Sequence, residues 1–257
     1  MQLTAHEVDD FNLLSHWLAE NDIEEGEIGD VQLIILAGNA IIPEIEGAMA
    51  LSAQRRIPLL LSGGEGHSTE LLRAALAEDK RYQEIAGLPG GEGDLLQAMA
   101  TGHFDLAPEQ VLNENRSRNC GENAQFSLNF LQNAGKVPAR YLLVQDPLMQ
   151  RRTKATYLHQ WQQQGVQAEC LSWPVFTPVL TVVDPRLTIT GAPGSGGIWS
   201  LDRYLSMILG EMTRLKDDAN GYGPNGKGFI GAVEMPGAVE SAWRRLLQNP
   251  RLAELSR

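Results

Sequence analysis

Short apolar runs, each followed by a polar or glycine-bearing turn and then by a helical pattern, constrain the fold of this chain most strongly. The three clearest runs are VQLIILAG (31–38), IPLLLSGG (57–64) and RYLLVQDP (140–147). Continuous apolar runs of this length are typical of strands buried on both faces of a parallel sheet. Two weaker strand candidates are QVLNEN (110–115) and VQAECLSWP (166–174). Strands that alternate with helices predict an α/β fold with a doubly wound parallel sheet.

Helical periodicity fills the segments around these strands. Amphipathic patterns predict helices over 5–20, 44–56, 66–78, 92–104, 120–135 and 148–165. Glycines at 135 and 165 stand where the last two helices should end.

The amino-acid composition changes after residue 174. Residues 174–198 contain four prolines and four glycines, and this composition predicts a linker. Helical patterns return over 198–218 and 237–248, on either side of a glycine-rich loop. We therefore expect an α/β domain over 1–174 and a small, mainly helical domain over 175–257.

Composition narrows the class of protein. The 257 residues carry 21 Lys and Arg against 32 Asp and Glu, a formal net charge of −11, which disfavours nucleic acid and anionic membranes as partners. No apolar run approaches the roughly 18 residues of a spanning helix, and the acidic N-terminus lacks the basic region of a signal peptide. Two cysteines argue against a disulfide framework. We expect a soluble cytoplasmic protein that binds a small molecule; the sequence does not give its oligomeric state.

Ligands of open parallel sheets bind outside the carboxyl ends of the strands, so the turns that leave those ends are the candidate site. The first turn holds Gly38 and Asn39. A glycine there lets the backbone approach a ligand, and an asparagine can both donate and accept hydrogen bonds. A plain strand-to-helix turn explains the same residues equally well.

The second turn is rich in glycine and hydroxyl groups. It begins with Ser62, Gly63, Gly64 and Glu65. Glycines before a helix expose free N–H groups that favour an anion, and Glu65 could accept hydrogen bonds from ribose hydroxyls. His67 and Glu70, which follow, are candidates for moving a proton; a purely structural glycine turn is the alternative.

The third turn is almost wholly polar. Its candidate ligand-binding residues are Ser117, Asn119, Cys120, Glu122 and Asn123, with Arg116 and Arg118 beside them. Ser117 or Asn119 would cap the following helix, and Glu122 suits its first turn and is also a candidate acid or base. Cys120 is either a nucleophile activated by the helix N-terminus or an inert thiol.

The fourth turn ends a strongly apolar strand with a polar pair. Gln145 and Asp146 are followed by Met149, Arg151 and Arg152, and Asp146 is a further catalytic candidate. Arginines in the first turn of a helix oppose its dipole, so they predict an anionic ligand or a carboxylate partner. Exposed arginines in weak surface pairs are the alternative.

Two other patterns do not predict a site. Residues 221–226 match G-x-G-x-x-G, but a predicted helix rather than a strand precedes them, so we interpret this loop as structural or as a lid. The five histidines show no zinc-ligand spacing, and we expect no metal.

Three of these turns together resemble the SanA/YdcF-like family of unknown-function domains. The motifs that carry the resemblance are Ser62-Gly63-Gly64, Ser117-x-Asn119-Cys120-x-Glu122-Asn123 and Val144-Gln145-Asp146-Pro147-x-Met149-x-Arg151-Arg152. The similarity extends over nearly the whole chain. It implies a Rossmann-like domain with a small C-terminal domain, and binding of S-adenosyl-L-methionine without an established reaction.

Three functions therefore stay open at this point. The first is an S-adenosyl-L-methionine-binding protein, with methyl transfer to an unidentified acceptor as one reaction. The second is a hydrolase or transferase for a phosphorylated or other anionic small molecule, such as an envelope or nucleotide precursor. The third is a non-catalytic sensor. All three require the four turns to converge, so we expect Gly64, Asn123 and Asp146 to lie around one pocket.

Overall fold

The structure is a computed structural model that describes residues 3–23, 28–66, 68–183, 186–194 and 196–255. Its centre is a parallel sheet of five strands in the order β3-β2-β1-β4-β5. The strands are β1 (Leu33–Ala37), β2 (Leu59–Ser62), β3 (Val111–Glu114), β4 (Arg140–Val144) and β5 (Glu169–Ser172). All pairs are parallel, with Ile35 opposite Leu60 and Leu36 opposite Val144. The α/β fold class is confirmed.

Helices cover both faces of this sheet. They are α2 (Ile42–Arg55), α3 (Thr69–Glu78), α4 (Gln83–Ala86), α5 (Glu92–His103), α6 (Cys120–Asn133) and α7 (Gln150–Gln163). The N-terminal helix α1 (Ala5–Leu18) packs elsewhere. On one face Ile34 and Leu36 of β1 pack with α2, α3 and α5; on the other, Leu33 and Ile35 pack with α6 and α7. Successive strand residues point to opposite faces, which explains why β1 is apolar throughout. The arrangement is doubly wound, as the alternation predicts.

The segment predicted as a linker contains an antiparallel hairpin instead of only irregular chain. It is formed by β6 (Val179–Val183) and β7 (Arg186–Thr190). The remaining elements are helical: α8 (Leu201–Leu215), α9 (Gly237–Leu246) and α10 (Pro250–Leu255). The linker prediction was wrong for 179–183 and 186–190, because prolines and glycines around the hairpin obscured two short, largely exposed strands.

The N-terminal helix packs with the C-terminal elements. Phe11 and Leu14 of α1 share one buried cluster with Tyr204 and Ile208 of α8 and with Leu246 of α9. The division of the chain at residue 174 stays a prediction, but this cluster joins the first helix to the last three. None of the described helices combines the length and apolar composition that crossing a bilayer requires.

Candidate functional site

A cleft of about 640 Å³ opens at the carboxyl edge of the sheet. The strand order reverses between β1 and β4, and such a reversal is where open α/β sheets bind ligands. Residues that follow β1, β2, β3 and β4 line this cleft, together with residues of the C-terminal part. From the predicted set, the lining residues are Gly38, Gly63, Gly64, Ser117, Asn119, Cys120, Glu122, Asn123, Gln145, Met149 and Arg152.

The glycine turn after β2 does not form the anion cradle that its sequence suggests. The N–H groups of Gly63 and Gly64 donate to the carbonyl oxygens of Glu114 and Ser117, at 2.9 Å each. The N–H of Gly66 donates to the Thr69 hydroxyl at 2.8 Å. These donors are already used within the protein, so the expectation of free N–H groups at these glycines was wrong.

The glycines serve close packing between turns instead. A Cβ on Gly64 would lie 2.4 Å from the carbonyl oxygen of Ser117, so the turns after β2 and β3 touch through their backbones. A Cβ on Gly91 would lie 2.6 Å from the carbonyl carbon of Gly64. Real Cβ atoms do not approach other atoms so closely, and any side chain at Gly64 or Gly91 would force the turns apart.

Gly38 leaves room for a side chain that the sequence analysis did not single out. A Cβ on Gly38 would lie 1.9 Å from Oε2 of Glu92, the first residue of α5. The same carboxylate oxygen lies 3.1 Å from the Cβ position of Gly63. Glu92 therefore fills the space that the glycines after β1 and β2 leave open, and it lines the cleft.

The Glu92 carboxyl is buried, with 3% of the residue exposed. Its Oε1 accepts hydrogen bonds from the hydroxyls of Ser68, at 2.7 Å, and Thr69, at 3.1 Å. Burial raises its pKa above the ordinary value, and the two hydroxyls oppose that shift only in part. An acidic group with a raised pKa in a cleft is a candidate for ligand recognition or proton transfer.

The N-terminus of α6 forms a second wall. Asn119 caps this helix by accepting a hydrogen bond from the N–H of Glu122 at 2.9 Å, which confirms one of the two predicted caps. The N–H groups of Cys120 and Gly121 find no acceptor among the described residues, and both residues line the cleft. This helix end, rather than the glycine turn, offers free donors to an anionic group.

Acidic and thiol groups surround that helix end. Glu122 accepts a hydrogen bond from the N–H of Arg118 at 2.8 Å. The Cys120 thiol lies 3.6 Å from the hydroxyl oxygen of Thr153 and 3.7 Å from that of Thr156, both on α7. The thiol faces the α6–α7 contact, with hydroxyl groups as its neighbours.

Several predicted residues hold the turns in place through hydrogen bonds within the protein. Asn39 bonds the backbone of Ala37 and Ile41, which is the plain turn of the alternative interpretation. The Asn123 amide donates to the carbonyl of Ser62 at 3.2 Å. The Ser62 hydroxyl accepts from Ser127 at 2.8 Å. These bonds tie β2 to its neighbours.

Asp146 points away from the cleft although Gln145 lines it. One oxygen of Asp146 accepts from the indole N–H of Trp199 at 2.9 Å, and the other from the N–H of Leu148 at 3.0 Å. Burial raises the pKa of this carboxyl to about 7. Gly64 and Asn123 thus border one cleft as expected, whereas the Asp146 side chain belongs to the packing against the C-terminal part.

The two arginines of α7 have carboxylate partners. Arg152 forms a buried ion pair with Glu211 of α8, with Nη2 3.0 Å from Oε1, and it lines the cleft. Burial alone would lower the pKa of Arg152, but the Glu211 carboxylate outweighs it and the net shift is upward. Arg151 turns outward, donates to the carbonyl of Trp17 at 2.7 Å and pairs with Glu20 at 3.1 Å. Of the two predictions for these arginines, the carboxylate partner is the one found.

The loop at 219–229 contributes an aromatic wall. Tyr222 and Phe229 line the cleft, with ring centroids 5.3 Å apart in an edge-to-face arrangement. Phe229 is 53% exposed, and the Arg152 guanidinium lies 5.9 Å from the Tyr222 ring centroid. This loop forms one side of the site, and its interpretation as a structural loop or a lid stays open.

The remaining predicted residues lie elsewhere. Glu65 and Arg116 line a neighbouring depression of about 580 Å³, which shares Arg118 and Glu122 with the cleft. Glu70 is exposed on the first turn of α3. His67 lies outside the described residues. Among the described residues, no group of three or more His, Cys, Asp or Glu side chains is placed to hold a metal ion.

No model of a known protein family matches this chain. The resemblance to the SanA/YdcF-like family therefore stays a prediction, and the function must be argued from the site.

Proposed function

We propose that this protein binds S-adenosyl-L-methionine in the cleft at the β1–β4 reversal. The observation that carries the proposal is the combination of groups around one cavity: free helix N–H groups, buried and half-buried carboxylates, and an aromatic wall. A volume of about 640 Å³ suits a nucleoside-sized ligand, because small-molecule sites commonly enclose roughly 300–1,000 Å³. The resemblance to the SanA/YdcF-like family, itself a proposal, names the same ligand.

The charged ends of the proposed ligand have counterparts in the cleft. The N–H groups of Cys120 and Gly121 suit its carboxylate, since a helix N-terminus favours negative charge. The Glu122 carboxylate suits its ammonium group. The exposed ring of Phe229 suits its sulfonium, because aromatic rings attract cations. The Tyr222 ring already has the cations of Arg152 and Lys227 beside it, with Nζ of Lys227 5.0 Å from its centroid. When bound, this ligand would supply an activated methyl group; the protein's groups bind and orient it.

Isothermal titration calorimetry with S-adenosyl-L-methionine tests the proposal. We expect saturable binding, and at a hundredfold excess over Kd a stabilisation of about 2.7 kcal/mol in thermal unfolding. Phe229→Leu keeps apolar bulk but removes the aromatic face, so it should weaken binding several-fold. Leu158→Ala, at an exposed residue of α7 outside the cleft, is the matched control and should bind like the wild type.

Absence of both heat and thermal shift at millimolar ligand would contradict the proposal. Detection of S-adenosylhomocysteine after incubation with candidate acceptors distinguishes a methyltransferase from a protein that only binds. The proposed partner is a small molecule rather than nucleic acid, because the net charge is −11. The proposed setting is the cytoplasm, because two free cysteines suit a reducing compartment.

A phosphorylated or other anionic substrate is the second candidate. Arg118 favours it, because this arginine lines the cleft beside the free N–H groups of α6 and forms no ion pair with a described residue. Arg151 and Arg152 favour it less, since carboxylates already neutralise them. A screen of generic phosphoesters with and without divalent metals tests it: turnover that is lost in Arg118→Gln would support hydrolysis.

A further inference from the structure

Only one of the two oxygens of the Glu92 carboxylate has hydrogen-bond donors among the described residues. Its Oε1 accepts two hydrogen bonds, from Ser68 and Thr69. Its Oε2 accepts none from the residues that the structure describes, and it is not one of the described polar atoms that are both sealed from solvent and unpartnered. A largely buried carboxylate still needs hydrogen-bond donors for each oxygen, because burial without them is costly. The missing donors must come from water or from a ligand in the cleft.

The residues next to Oε2 line the cleft. The oxygen occupies the space of absent side chains at Gly38 and Gly63, and both glycines line the cavity. The N–H groups of these glycines already donate to the carbonyls of Ser62 and Glu114, so they cannot turn towards the carboxylate. The open side of Oε2 is therefore the cleft floor between the turns after β1 and β2.

The carboxylate also has no cationic partner within the described part of the chain. No described lysine or arginine contributes to its electrostatics, and its only polar contacts are hydroxyl groups. This differs from Glu211, whose charge Arg152 compensates. The donors that surround Glu92 are thus neutral hydroxyls, and they fill two of the about four acceptor positions of its carboxylate.

We propose that Glu92 is the specificity-determining residue of the cleft, and that its Oε2 accepts hydrogen bonds from the hydroxyl groups of a sugar ring. This inference rests on the proposed function, because it assigns the ribose of the adenosyl group to the cleft floor. It also moves that role from Glu65, the residue that the sequence suggests, to a residue of α5. A deoxy analogue would leave the buried oxygen without its donor.

Calorimetry with adenosine, 2′-deoxyadenosine and 3′-deoxyadenosine tests this inference. The wild type should bind at least one deoxy analogue about tenfold or more weakly than adenosine. Glu92→Gln should bind all three nucleosides within about threefold of one another, because a neutral amide oxygen accepts a weaker hydrogen bond from a hydroxyl than a carboxylate oxygen does. Glu84→Gln, the same change at an exposed residue of α4, should keep the wild-type preference.

The outcomes separate the two proposals. Equal binding of adenosine and both deoxy analogues by the wild type would overturn the role of Glu92 and leave the nucleoside site standing. A preference that survives in Glu92→Gln would also overturn it. If none of the nucleosides binds at millimolar concentration, the role of Glu92 is overturned, and the titration with S-adenosyl-L-methionine decides the proposed function separately. Thermal unfolding of Glu92→Gln is recorded first; should the variant not fold, the wild-type comparison alone decides.

Discussion

Replacing Gly38 by alanine should destabilise the protein through a clash with Glu92. The new methyl carbon would lie 1.9 Å from Oε2 and 3.0 Å from Cδ of that side chain. The carboxylate cannot easily withdraw, because Ser68 and Thr69 hold its other oxygen and the residue is buried. Gly38 has no positive φ, so alanine strains the site through this contact and not through its backbone.

The expected cost follows from overpacking of a closed core. Inserting a methyl group into a well-packed site typically costs about 1–3 kcal/mol. For a chain of this size, each kcal/mol corresponds to about 2–4 °C in Tm. We therefore expect Gly38→Ala to melt roughly 2–12 °C below the wild type. Urea unfolding measures the same free energy at constant temperature.

Two further variants make the test specific. Gly102→Ala is the control, because nothing lies within 4 Å of its Cβ position near the end of α5, and it should stabilise by up to about 1 kcal/mol. Glu92→Ala removes the clashing group, so in the double variant Gly38→Ala should cost at least about 1 kcal/mol less than in the wild type. The reasoning is refuted if Gly38→Ala unfolds like the wild type, or if the two costs simply add.

For three other changes, the structure determines the direction of the effect on stability. Gly64→Ala meets backbone carbonyl oxygen at 2.4 Å instead of a side chain, so it should cost more than Gly38→Ala in the same urea assay, and an equal or smaller cost would contradict the close packing of the turns. Burial raises the pKa of Asp146 to about 7 in the folded state, against an ordinary value of 3.8. Folding therefore favours the protonated carboxyl. Its contribution to the free energy of unfolding is complete below about pH 4 and is lost as the pH rises through 7. The urea midpoint should therefore decrease as the pH rises from about 4 to about 7, and this decrease should be smaller in Asp146→Asn; an unchanged pH profile would show that another group controls it. Arg152→Met leaves the Glu211 carboxylate buried with Arg214 as its remaining partner, so it should lower the free energy of unfolding by about 3–5 kcal/mol. Adding Glu211→Leu should restore most of this stability. A double variant no more stable than Arg152→Met would contradict the ion-pair account.

The sheet could be predicted because its strands are set by local composition. LIILA (33–37) and YLLV (141–144) are apolar without interruption, and such short runs are typical of strands covered on both faces. The hairpin of β6 and β7 escaped prediction for the opposite reason. Its strands are short and half exposed, and the prolines and glycines around them are the residues that normally indicate irregular chain.

The candidate site was predictable in its location but not in its chemistry. Parallel topology alone brings the four turns to one edge, and eleven of the predicted residues line the cleft there. Glu92 was missed because an acidic residue in the first turn of a helix is ordinary. The glycines beside it, at 90, 91 and 93, were the available signal: each marks a close approach, to Asp94, Gly64 and Asn113 respectively.

The roles of charged residues depended on long-range partners that no local pattern contains. Arg152 pairs with a glutamate 59 positions away, and the indole that bonds Asp146 is 53 positions away. Local reasoning could state that arginines at a helix N-terminus need an anion, but not that α8 supplies it. The same limit applies to the glycine turn, where the N–H groups of Gly63 and Gly64 donate to carbonyls at the end of β3 and just after it.

Chemical-shift mapping by NMR tests the central claim most directly, namely that these turns form one ligand cleft. On titration with S-adenosyl-L-methionine, we predict saturable shifts of the backbone amides of Gly38, Gly63, Cys120 and Tyr222, which come from four separate parts of the sequence. The amides of the β6–β7 hairpin should stay unchanged. Shifts confined to the hairpin, or no shifts at saturating ligand, would contradict the account.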